Sequence, residues 1–160
     1  MPTRIIKILL ALSAASWGLI GAIRNLVDYE ATIGFTAFLL SVEGTESLRA
    51  IDNPVFTHLS YAFVWGSKLV TTALCGYGAY ELWLARRDSV AEFSRAKEKV
   101  YLGIGIALFM LFFGFMVVLG GVFAPWEITE VRTGYHQYAT FQLVGLGMAM
   151  LFLALPEREI

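Results

Sequence analysis

Charge is what this sequence is short of. Asp, Glu, Lys and Arg make up 16% of its 160 residues, against about 25% in a soluble domain. The shortage is concentrated. No charged residue lies between Lys7 and Arg24, between Lys99 and Glu127, or between Arg132 and Glu157. The last two gaps exceed the roughly 18–20 apolar residues that mark a bilayer span, and a soluble helix keeps a charged face over such a length. The chain reads as an integral membrane protein. Its net charge of -1 and the lack of any long basic tract exclude a nucleic-acid partner.

Other chemistries are missing as well. A single cysteine, Cys75, falls inside an apolar stretch, where it can make no internal disulfide and reads as a small packing residue. There is no G-x-x-x-x-G-K-[ST] phosphate cradle, no H-E-x-x-H and no G-x-S-x-G. No C-x-x-C-H occurs, and the only histidines are His58 and His136. Each falls at the outward end of a span, where it could ligate haem or a metal or simply meet water. No metal, haem or other cofactor is expected, with haem or quinone contact a minor alternative. Nothing in the pattern calls for an enzyme.

What remains is four apolar segments, at about residues 5–23, 57–84, 100–124 and 135–155. Each must be helical, because hydrocarbon offers an open chain no other way to satisfy its backbone. The expected fold is all-α: one domain over 1–160, a four-transmembrane-helix bundle. The start, with Arg4 and Lys7 before an apolar run, has the form of a signal peptide, but the run continues through Trp17 and Ile23 and reads as a retained first helix. Arg4, Lys7, Arg86, Arg87, Arg95, Lys97, Lys99 and Arg158 lie on one side, against Arg24, Arg49 and Arg132 on the other. Eight against three puts both termini in the cytoplasm of a bacterial inner-membrane protein.

The loop between the first two spans faces outward and is not plain linker. "ATIGFTAFLLSVEG" carries Phe35, Phe38, Leu39 and Val42 at helical spacing, too short to span and suited to an interfacial or re-entrant helix. Such a cap could cover a site between helices or only the ends of the bundle. Asn53-Pro54 then marks a turn and helix start. The first span carries a stripe of small residues, Ala14, Gly18 and Ala22, beside Ala11 and Ala15, which permits close helix crossing.

Lys68 is the residue that most needs explaining. It lies about eleven residues into its span, roughly 16 Å along the helix, where an ammonium costs about 2.5–3.5 kcal/mol on insertion scales. No acid occurs in the other spans, and Glu81 is too far along the same helix to pair with it. Gln142, Tyr138, Ser67 and Thr71 are candidate neutral contacts within the bundle. Lys68 could hold an anionic or amphipathic ligand, pair with an acid on a partner, or snorkel with no specific role. Arg24, Asn25 and Asp28, with His58 and His136, are a candidate outer polar cluster, in which a local Arg24–Asp28 ion pair is the simplest expectation.

The stretches "NLVDYEATIGF" and "RAIDNPVFTHLSYAF" resemble a bacterial family of predicted small integral membrane proteins of unknown function. Asn25, Asp28, Tyr29, Phe35, Arg49, Ala50, Ile51, Pro54, His58 and Tyr61 carry the likeness, which extends over nearly the whole chain. It implies four spans and no stated activity. The chain departs from the family pattern at Phe38 and Val42-Glu43, where a His and a Met-Asp are usual, and at Lys68, where an acid is usual. A shared site that used that His or acid would be altered here. The function expected from the sequence is a non-catalytic accessory or assembly subunit of a larger inner-membrane complex, a respiratory one being one setting. It would pack against another membrane protein or its own copies through small-residue faces. The alternative is a small transporter or binding protein for an anionic or amphipathic molecule.

Overall fold

The computed structural model describes residues 2–41, 51–123 and 128–157, with side chains for all of these except 120–123. Among the described residues all the regular structure is helical, with no strand. Helix α1 runs over Pro2–Val27, α2 over Tyr29–Ser41 and α3 over Pro54–Leu84. A 3₁₀ turn at Ala85–Arg87 leads to the short α4, Val90–Ala96. Helix α5 covers Glu98–Phe109 and continues in wider, π-type turns over Met110–Phe123. Similar turns over Val131–His136 lead into α6, Gln137–Ala154.

Among the described residues three stretches are long and apolar enough to cross a membrane: Pro2–Val27, Val90–Leu119 and Val131–Ala154. The expected four are therefore three on length and composition. The exception is α3, whose 31 residues would extend about 46 Å. It falls short in apolarity because it carries Lys68, Glu81 and a run of Thr, Ser and His.

Those polar groups are spent on its neighbours. Two of them, Lys68 and Thr72, recur with Tyr61 and Trp65 every three or four residues and so share one face. Tyr61 Oη donates to Asn25 O at 3.2 Å, Trp65 Nε1 to Ala22 O at 3.2 Å, and Thr72 Oγ1 to Ala15 O at 3.3 Å. Lys68 reaches the Asn25 side chain. The result is a ladder of interhelical hydrogen bonds along α1, each worth about 0.6 kcal/mol on average inside a membrane. On another face Thr71, fully buried, donates to Gly103 O of α5 at 3.0 Å.

Small residues make the ladder reachable. Ala11, Ala14, Gly18 and Ala22 are all buried on α1. A methyl group on Gly18 would lie 2.6 Å from Thr72 Oγ1 and 2.7 Å from Lys68 O, so only glycine allows α3 this close. Across the other side of α3, a methyl on Gly103 would lie 2.6 Å from the sulfur of Cys75. Cys75 is fully buried there, a packing residue as its setting implied.

The boundaries differ from the sequence reading at both ends of the first loop. α1 runs past Arg24 to Val27, and α2 begins at once, at Tyr29. Its helical phase had been read only from Ala31, because Asp28 and Glu30 look like loop residues. Phe38 lies within α2, whereas Val42, Glu43 and Arg49 fall outside the described residues, as do Trp126 and Arg158. Asn53 caps α3 as expected: its Oδ1 accepts from Val55 N at 2.9 Å, and Pro54 takes the first turn. In the connection after α3, Glu92 closes a capping box with Ser89 at the start of α4.

The other end of the bundle is tied by an ion cluster. Glu157 Oε1 bonds Lys7 Nζ and, at 3.2 Å, Lys97 Nζ, and Arg4 Nε lies 3.9 Å from Glu157 Oε2. Arg4, Lys7 and Lys97 are all buried. Each cation also takes backbone oxygens that no helix satisfies. Arg4 donates to Asp88 O and Arg86 O, Lys7 to Leu155 O, and Lys97 to Leu153 O. Lys7 and Lys97 thus cap the C-terminal carbonyls of α6, while Arg4 lies 4.8 Å over the ring of the buried Phe93.

Candidate functional site

A cavity of about 1020 Å³ opens between α1, α2, α3, the π-type turns after α5, and α6. Its volume is at the top of the roughly 300–1,000 Å³ range of small-molecule sites. Most of its wall is apolar, with Phe63, Phe113, Phe115 and Leu119 among its residues. Arg24, Asn25, Asp28 and Lys68 supply its charged and polar wall, and Tyr138 and Gln142 stand on the α6 side.

Lys68 lies near the midpoint of α3. Its ammonium donates to Asn25 Oδ1 at 3.3 Å and has no carboxylate within 4.0 Å among the described residues. Gly21 lets the stem fold along α1: a methyl there would stand 3.1–3.3 Å from Cδ, Cε and Nζ of Lys68. Arg24 lines the same cavity, and its charge acts on Lys68. The expected Arg24–Asp28 ion pair is not formed. Their contact is the helical bond from Asp28 N to Arg24 O at 2.9 Å; the spacing of four leaves both side chains on one face, but the charged groups stand more than 4.0 Å apart.

The contacts expected for Lys68 are only partly right. Tyr138 and Gln142 share its cavity without bonding it. Ser67 turns back to Phe63 O at 2.7 Å, and Thr71 faces α5. Asn25 is the true partner. Of the proposed outer cluster, Arg24, Asn25 and Asp28 come together, but neither histidine lines the cavity. His58 is exposed and its Nδ1 lies 3.1 Å from Tyr29 Oη. Among the described residues no group of three or more His, Cys, Asp or Glu is placed to hold a metal ion.

The sequence reading left open whether the outer loop covers a site or only the helix ends. It covers a site. Ala31, Thr32, Phe35, Thr36, Leu39 and Leu40 of α2 line the cavity. Phe35 packs on Tyr135, ring centroids 4.2 Å apart, and so joins α2 to the turns that lead into α6. Phe35 at one turn's distance from Leu39 was the legible signal, whereas its partner Tyr135 is 100 residues away in sequence and gave none.

A family model described as predicted small integral membrane protein (DUF2165) matches residues 3–156. The chain belongs to this family. No curated protein and no solved structure matches it. Membership agrees with the apolar helices in making this an integral membrane protein. The family description stops at the membrane, so the chemistry of the cavity must be read from its own residues.

Proposed function

We propose that this protein binds a small amphipathic molecule within the membrane, its polar end at Lys68, Arg24 and Asn25 and its apolar part between α2, α3 and α6. In this reading α3 is a fourth span, both termini are cytoplasmic in a bacterial inner membrane, and α2 is an outer cover over the ligand. One observation carries it: a ligand-sized, mostly apolar cavity has two cations on its wall, and among the described residues neither has a carboxylate within ion-pair distance. An ammonium near the middle of a span is costly and, where it is retained, faces a cavity, a substrate or a partner.

The accessory-subunit reading loses much of its support. It needed small-residue faces free for partner helices, but Ala11, Ala14, Gly18 and Ala22 are buried inside the chain. One observation still favours it. Phe141, Val144, Met148 and Leu151 of α6 are exposed, and methyl groups on Gly145 or Gly147 would meet nothing. That face fits a partner helix or lipid.

Native mass spectrometry of the tagged protein, extracted in mild detergent, separates the two. The expected result is a co-purifying small molecule on the wild type whose occupancy falls about tenfold or more in Lys68→Met, since a hydrogen bond to a charged group contributes about 1.5–3 kcal/mol. A stoichiometric protein partner lost in the same variant, with no small molecule on the wild type, would transfer the function to the accessory class.

A further inference from the structure

The character of the cavity wall narrows the ligand, on the premise that the cavity is a binding site. Arg24 and Lys68 bring two positive charges and Asp28 one negative. The wall is left with one uncompensated positive charge among the described residues. A head with a single negative charge balances it, whereas a phosphate monoester carries about −1.5 to −2. Arg24 offers a planar fork suited to a carboxylate, and Lys68 a point charge beside it.

The apolar part follows from the rim. Ile20, Leu59 and Phe113 line the cavity and are 66%, 62% and 43% exposed. One flank of its rim is therefore apolar, where acyl chains would touch it, while α2 lies across another side and the exposed Arg24 and Asp28 form a polar edge. A chain could enter by the apolar flank with its head toward that polar edge. A chain-bearing molecule would gain about 0.8 kcal/mol for each methylene it buries. A cavity of about 1020 Å³ has room for one such chain along its apolar wall.

We infer that the ligand is a single-chain amphiphile with a monoanionic head, of the long-chain carboxylate class, its head between Lys68 and Arg24 and its chain among Phe63, Phe113 and Phe115. Asn25 holds the ammonium in place when the head is absent, and Gly21 keeps the lysine stem flat against α1 so that the head has room.

The test is equilibrium binding of labelled palmitate to the full chain in a neutral detergent, with hexadecanol and phosphatidylglycerol as competitors. Palmitate is expected to bind saturably at one per chain, hexadecanol at least tenfold more weakly, and phosphatidylglycerol not to compete. Lys68→Met should weaken palmitate about tenfold or more and leave hexadecanol unchanged, while Lys68→Arg should retain palmitate binding. Equal binding of palmitate and hexadecanol would overturn the anionic head and leave the binding reading intact. Effective competition by phosphatidylglycerol would overturn the single chain. Binding of none of the three would overturn both this inference and the reading beneath it.

Discussion

Gly18→Leu is expected to abolish the native bundle. The reason is local and backbone-deep. Even one added carbon at this position would stand 2.7 Å from the main-chain oxygen of Lys68 and 3.3 Å from Thr72 N, and a helix backbone cannot swing aside as a side chain can. α1 and α3 must separate, and every rung between them lengthens together: Tyr61 to Asn25, Trp65 to Ala22 and Thr72 to Ala15. Gly18→Ala should already destabilise by roughly 1–3 kcal/mol, the usual range for overpacking, and leucine by more. Gly145→Ala is the control. A methyl there meets nothing, so its effect should be neutral or slightly stabilising, by up to about 1 kcal/mol from helix propensity. Thermal unfolding in detergent, followed by tryptophan fluorescence, ranks the three. A Gly18→Ala protein as stable as Gly145→Ala would show that the helices do not cross this closely.

Glu157→Gln is expected to loosen the opposite end. One carboxylate there serves Arg4, Lys7 and Lys97, and its side chain is 2% exposed. Removing it leaves three buried cations with no acid in ion-pair distance among the described residues, a change that typically costs roughly 3–5 kcal/mol. Lys7→Met should cost less, because Lys97 and Arg4 still face the carboxylate. The acid also predicts a pH dependence. Burial raises the Glu157 carboxyl, but hydrogen bonds and charges from Lys7 and Lys97 outweigh it and hold the group below its ordinary value. A lowered native value means stabilisation that is complete above the unfolded value of about 4.3 and is lost as pH falls through the native one. Wild-type melting temperature should therefore drop in acid, and Glu157→Gln should flatten that drop. Glu130→Gln, at an exposed position, should do neither. Equal stability of Glu157→Gln and Glu130→Gln at neutral pH would remove the cluster from the account.

Much of this architecture could be read from the chain before its fold. The charge-free stretches gave the helices, and Asn53-Pro54 gave the start of α3. Lys68 stood out because an ammonium in an apolar run has few cheap explanations. The ladder was also legible, since Tyr61, Trp65, Lys68 and Thr72 repeat at helical spacing, but aromatic residues in a span read first as interfacial or packing groups. The small-residue stripe was seen without its occupant. A stripe states that something comes close, and α3 is what does. Glu157 was beyond reach, because it pairs with Lys7 across 150 positions and no local pattern records that. Position 25 was read only as part of the outer cluster, and its side chain also bonds Lys68. The first span had been ended at Ile23, whereas α1 runs to Val27 and carries Asn25 one turn beyond Ala22.

The cavity itself is tested most directly by photo-crosslinking in intact cells. A photoreactive phenylalanine analogue is placed at Phe35 on α2, at Phe113 after α5 and, as the reference, at Phe141, which is 77% exposed on α6. Phe35 and Phe113 should yield the same small-molecule adduct, diminished by Lys68→Met, while Phe141 yields ordinary bilayer lipids. If all three positions return the same bilayer lipids, or the two cavity positions capture another protein instead, the cavity is not a ligand site and the account fails at its centre.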